Sequence, residues 1–168
     1  MKSKNILIVY FSYTGNTEAF AKKIGKITNG TIYKIQVPQE YIENVDKLMA
    51  CYAKGDSEEK MAKYKKKLYD IEITKFDKKI SDYDIIFIGS PIWDRTISPP
   101  VVEFLKQNNL AGKVVVPFVS HGGWGPGKSF EDIAKLTQGA TVKDGLAISE
   151  RSIPTEKKLV EWINKAIN

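Results

Sequence analysis

Ile6-Leu7-Ile8-Val9-Tyr10-Phe11-Ser12-Tyr13-Thr14-Gly15-Asn16-Thr17 is the stretch that decides the fold. Its first half is apolar, β-branched and aromatic, and too short for a membrane span, so it predicts a buried strand. Beyond Thr17 the pattern changes to a helical one, with Phe20, Ala21, Ile24 and Ile27 on one face. Hydroxyls, a glycine and an asparagine are therefore concentrated where a strand becomes a helix. The free N–H groups and positive dipole end of a helix start there, which suits a phosphate. A plain helix cap, with Ser12 or Thr14 as N-cap, is the competing explanation. One cap needs one such side chain, and this loop supplies several, so phosphate binding is the stronger expectation.

Outward from that loop, 168 residues with 42% hydrophobic and 27% charged content predict one ordinary domain, residues 1–168, with a single substantial core. The apolar run after Lys2 and Lys4 is too short for a secretory leader, and no other stretch could span a membrane. The single cysteine, Cys51, excludes an internal disulfide, and with His121 as the single histidine it leaves no zinc site of Cys and His. A cytoplasmic protein is expected. The net charge of +6 comes almost entirely from lysines, many of them between Lys54 and Lys79, where acidic residues alternate with them. That mixture reads as a solvated helical face and carries no nucleic-acid motif.

Along the chain, Thr31 to Val37 predicts a second strand stopped by Pro38, and residues 39–82 are the least regular part. There Tyr41, Val45, Leu48, Met49 and Tyr52 follow a helical spacing. Asp84 to Gly89 predicts a buried strand, followed by a polar loop and a helix opened by Pro99 and Pro100. Val114 to Val119 predicts another strand, in which Pro117 suggests a bulge or an early end. A glycine-rich loop, the helix Ser129–Leu136, a strand over Thr141–Ile148 and a helix over Thr155–Ile167 complete the pattern. Strands alternating with helices predict one parallel sheet covered on both faces, with ligands bound beyond the C-terminal strand ends. Three loops lie there: 12–17, 90–97 and 120–127.

Trp93 follows a buried strand and stands among proline, aspartate and arginine, which suits stacking on a flat ligand as well as packing on the domain edge. Gly122 to Ser129 satisfies G-x-x-x-x-G-K-S between a strand and a helix. Against nucleotide hydrolysis stand Pro126, which removes a donor from a backbone cradle, and the lack of a downstream strand-end carboxylate for magnesium. His121 has no evident carboxylate or nucleophile partner and reads as a hydrogen-bonding residue near the ligand.

The run Ile8 to Ile24 resembles the flavodoxin phosphate-loop pattern throughout, and Pro91-Ile92-Trp93 and Ser120-His121-Gly122-Gly123 through Gly139-Ala140 are similar to a bacterial flavodoxin-like family. The resemblance implies an α/β, flavodoxin-like three-layer sandwich: a five-stranded parallel sheet of order 2-1-3-4-5 holding FMN. Ser12, Thr14, Asn16 and Thr17, with Tyr13 and Gly15 in the same loop, would bind the FMN phosphate. Ser90, Pro91, Ile92, Trp93 and Asp94 would flank the isoalloxazine. Ser120, His121, Gly122 and Gly123 would meet its pyrimidine end, with Trp124 as a cover. An electron carrier serving a redox partner protein or small electron acceptor is the implied role, and an FMN-dependent NAD(P)H oxidoreductase the alternative. Two departures from the family pattern are Asp94-Arg95, where relatives often carry a glycine, and the basic net charge.

Overall fold

The computed structural model describes residues 4–168. Its elements are β1 (Ile6–Tyr10), α1 (Asn16–Thr28), β2 (Thr31–Lys34), α2 (Gln39–Lys54), α3 (Glu58–Tyr69) and β3 (Ile85–Trp93). They continue with β4 (Thr96–Ile97), α4 (Pro99–Gln107), β5 (Val114–His121), α5 (Ser129–Leu136), β6 (Thr141–Val142), β7 (Leu146–Ser149) and α6 (Glu156–Ile167). The parallel strands run in the order β2-β1-β3-β5-β6, with β7 also parallel to β5 and the short β4 antiparallel to β3. Taking β6 and β7 as two pieces of one fifth strand recovers the expected winding, with β1 and β3 adjacent at the centre.

Strand alternation divides the core into two layers. Leu7 and Val9 of β1 and Ile86 and Ile88 of β3 pack with Val45 of α2, Met61 of α3, Phe104 of α4 and Ile133 of α5. Ile8, Tyr10, Ile85 and Phe87 face the other way, against Phe20 and Ile24 of α1 and Leu159 and Ile163 of α6. Trp162 is partly buried there, its ring 5.7 Å from that of Phe87.

The fifth strand departs from the expected single piece over 141–148, and Pro117 explains where it breaks. Thr141 N–H donates to Lys113 O, Lys143 N–H to Val115 O and Glu150 N–H to His121 O, so the odd-numbered residues of β5 face the fifth strand. Pro117 is the odd-numbered residue with no N–H to give. Beside it the pairing shifts by one residue, from Val115 opposite Val142 to Phe118 opposite Leu146. The extra residue is a bulge in the neighbour, while β5 itself runs unbroken.

Within residues 39–80, irregular in sequence, α2 and α3 form a helical hairpin that ends at Tyr69, and the chain from 70 to 79 has no regular structure. Gly55, at φ +66°, ends α2, and Ser57 Oγ accepts from Lys60 N–H, 3.4 Å, at the start of α3.

Candidate cofactor site

The loop that leaves β1 reaches α1 through Gly15, whose φ of +93° favours a residue without a Cβ. Ser12 Oγ accepts from Gly15 N–H at 3.1 Å, so it stabilises the loop and does not cap the helix. No side chain caps α1. Its first backbone bond runs from Ala19 N–H to Gly15 O, 2.9 Å, leaving the N–H groups of Asn16, Thr17 and Glu18 available to an anion. Thr17 is 1% exposed, and its hydroxyl lies 2.7 Å from that of Ser120, joining this loop to the end of β5. The Glu18 carboxyl, bonded by Lys22 and Lys34, is held from its ordinary 4.5 down to about 2. It is therefore ionised, with its charge offset by the two lysines at the start of the helix.

A cavity of about 520 Å³ opens beside this loop, well within the range of small-molecule sites. Tyr13, Thr14, Pro91, Ile92, Trp93, Asp94, Ser120, His121 and Gly122 line it, so all three sequence-marked loops meet there. Ser12, Gly15, Asn16 and Thr17 stand behind that lining, in the loop and the first turn of α1. Trp93 is half-buried, its ring parallel to Tyr41 at 6.1 Å and edge-on to Phe11 and Tyr13. The indole is thus positioned by a packed aromatic cluster while still facing the cavity. Burial pushes the Tyr41 phenol well above its usual range, and its hydroxyl is buried with no partner. The Tyr13 hydroxyl donates to the Asp46 carboxylate, which raises the Tyr13 phenol as well.

Three expected site residues are placed elsewhere. Ser90 is fully buried; its hydroxyl bonds Pro91 O at 2.8 Å and accepts from Ser98 N–H at 2.9 Å, knitting the strand end to the start of α4. Trp124 is 97% exposed and does not line the cavity. Gly123 is spent on an internal bond: its N–H and that of Gly125 donate to His121 Nδ1, at 3.1 and 3.2 Å. The imidazole accepting at Nδ1 carries its proton on Nε2. Those two bonds also answer the nucleotide-loop pattern, because N–H groups that would cradle a phosphate are bound to histidine.

Asp94 and Arg95, at φ +46° and +68°, form the two-residue turn between β3 and β4, with Trp93 opposite Thr96. Left-handed backbone is unfavourable for arginine. Arg95 O accepts from Lys128 N–H at 2.8 Å, so the turn is held by the glycine-rich loop. Arg95→Gly should therefore stabilise the protein by about 0.5–1 kcal/mol, the relief of strain exceeding the added chain entropy. A urea midpoint moving the other way would refute strain at this turn.

Sequence reading missed the opposite wall of the cavity. Leu48, Met49 and Tyr52 of α2 and Lys65 and Tyr69 of α3 form it, and Glu150, after β7, closes one end. The Lys65 ammonium lies 5.6 Å from the Tyr52 ring centroid, and Tyr69 Oη donates to Asp94 Oδ2 at 3.3 Å. The available signal was the spacing of Tyr41, Val45, Leu48, Met49 and Tyr52, which is too wide a stripe for one buried face. Met49 and Tyr52, about half exposed, are its cavity side.

A family model described as Flavodoxin matches residues 5–166. The chain belongs to the flavodoxin family. Among solved structures, this flavodoxin-family chain is similar to a protein of Bacteroides eggerthii assigned as a flavoprotein, at 26% identity and TM-score 0.79, over 98% of this chain and 99% of that one. A Lactobacillus acidophilus flavoprotein, solved in complex with FMN, matches at 23% identity and TM-score 0.56, over 86% and 92%. Flavodoxin 1 of Bacillus cereus matches at 17% and 0.56, over 97% of both. The latter two show the shared fold. No curated protein matches the chain. Among the described residues no helix is long and apolar enough to cross a membrane.

Proposed function

We propose that this chain holds FMN non-covalently and transfers electrons between redox partners in the cytoplasm. The observation that carries the reading is the uncapped start of α1 at the same end of the sheet, beyond the C-terminal ends of the strands, as a cavity faced by Trp93. The donor set suits a permanently held phosphate: hydroxyls and N–H groups, with no cation aimed at a phosphoryl group in transit. Thr14, Asn16 and Thr17 would hold the phosphate, Pro91, Ile92 and Trp93 would meet the ring, and Ser120, His121 and Gly122 its polar edge. His121 Nε2–H would serve there as a donor, and Trp124 would fold down over the ring from its exposed position. The bound flavin would supply the one- and two-electron chemistry. The partner is a redox protein or a small electron acceptor.

An absorbance spectrum recorded during stepwise reduction tests the reading. A flavin spectrum that is bleached by reductant, with no NAD(P)H consumption by the protein alone, supports a carrier. Steady NAD(P)H oxidation with a quinone would assign it as a reductase. Failure to bind FMN would overturn both.

A further inference from the structure

The phosphate loop is itself uncharged, yet a carboxylate stands against it. Glu150 Oε1 accepts a hydrogen bond from Asn16 Nδ2, and the other contact of that amide is Thr14 Oγ1 at 3.3 Å. Both N–H bonds of the Asn16 side chain are thereby directed within the protein. Glu150 also lines the Trp93 cavity, as Thr14 does. Its backbone is fixed, because its N–H donates to His121 O at 3.1 Å and extends the edge of the β5–β7 ladder. Its side chain, by contrast, is exposed, and the Asn16 amide is its hydrogen-bond partner. Glu18, the carboxylate in the first turn of α1, is paired with Lys22 and Lys34.

We propose that Glu150 is a displaceable competitor at the phosphate end of the site, holding the Asn16 amide that a phosphate would use and repelling the incoming anion. The inference rests on the FMN reading above. A phosphate dianion entering the loop must take the Asn16 donor from Glu150 and then remain near its negative charge. Glu150 accordingly weakens the phosphate's share of the binding and leaves the ring's share alone. The cofactor is held less tightly than the donor set would allow, and discrimination between FMN and phosphate-free riboflavin is reduced.

Flavin-free protein titrated with FMN and with riboflavin, followed by flavin fluorescence, tests this at a pH well above about 6, where the phosphate is a dianion. Glu150→Gln keeps an acceptor for Asn16 and removes the charge. It should bind FMN about tenfold more tightly, the size of a screened charge–charge term at this exposure. Riboflavin affinity should stay within about twofold, since no phosphate is present to feel the charge. Added salt should shrink the FMN gain. Unchanged or weaker FMN binding by the variant overturns the proposal. Equal shifts for both flavins overturn it as well, because Glu150 would then touch the ring or the ribityl chain. Wild-type protein that binds neither flavin overturns the FMN reading instead.

Discussion

Thr17→Ala should lower FMN affinity by about 10- to 100-fold, the worth of a hydrogen bond to a charged group. The hydroxyl is buried and 2.7 Å from Ser120 Oγ. With Ser120 donating, the Thr17 proton is free for the phosphate. The alanine variant loses that donor and leaves the Ser120 hydroxyl buried without a partner, at a stability cost of about 1–3 kcal/mol. Thr17→Ser keeps the hydroxyl and should stay near wild type in both measurements. Lys128→Ala should change FMN affinity little, because the Lys128 contact to Arg95 is made by the main-chain N–H. A titration in which Lys128→Ala equals or exceeds Thr17→Ala would move the phosphate site to the glycine-rich loop.

Gly127→Ala should cost about 3 kcal/mol or more in urea denaturation. The residue sits at φ +54°, and a Cβ there would lie 2.0 Å from Arg95 O. Relief requires the two backbones to part, which breaks the bond from Lys128 N–H and shifts the Asp94–Arg95 turn. Trp93 opens that turn, so FMN affinity should fall along with stability. Gly122→Ala is the control, since its Cβ would meet nothing within 4 Å. Equal stability of the two variants would show that the seam between the loops yields freely.

The alternation of strands with helices and the donor loop before α1 were legible because both are written locally, whereas the winding order came with the family resemblance. A strand, a loop of small donors and a helix occur within a few residues of one another, and each period is visible in Ile6 to Ile27. The Gly122–Ser129 pattern was set aside on Pro126 and the missing carboxylate, and the structure adds what local sequence does not show: His121 takes the N–H groups of Gly123 and Gly125. Ser90 reads as a site residue by position, yet its bonds to Pro91 and Ser98 depend on where α4 begins. The second wall of the cavity was hidden for a different reason. Met49, Tyr52 and Lys65 belong to helices whose pattern fits a surface, and only the packing of the α2–α3 hairpin brings them to the cavity.

The sequence by itself determined the parallel sheet, the order of its elements and the neutral donor loop at the start of α1. Those follow from periodicity and from which residues stand next to one another. Tertiary structure alone decided that α1 starts uncapped, that Pro117 breaks its neighbour and not its own strand, and that Glu150 reaches Asn16. Such contacts join residues far apart in the chain. Their geometry is set by strand register and helix packing, which leave no local trace in the residues involved.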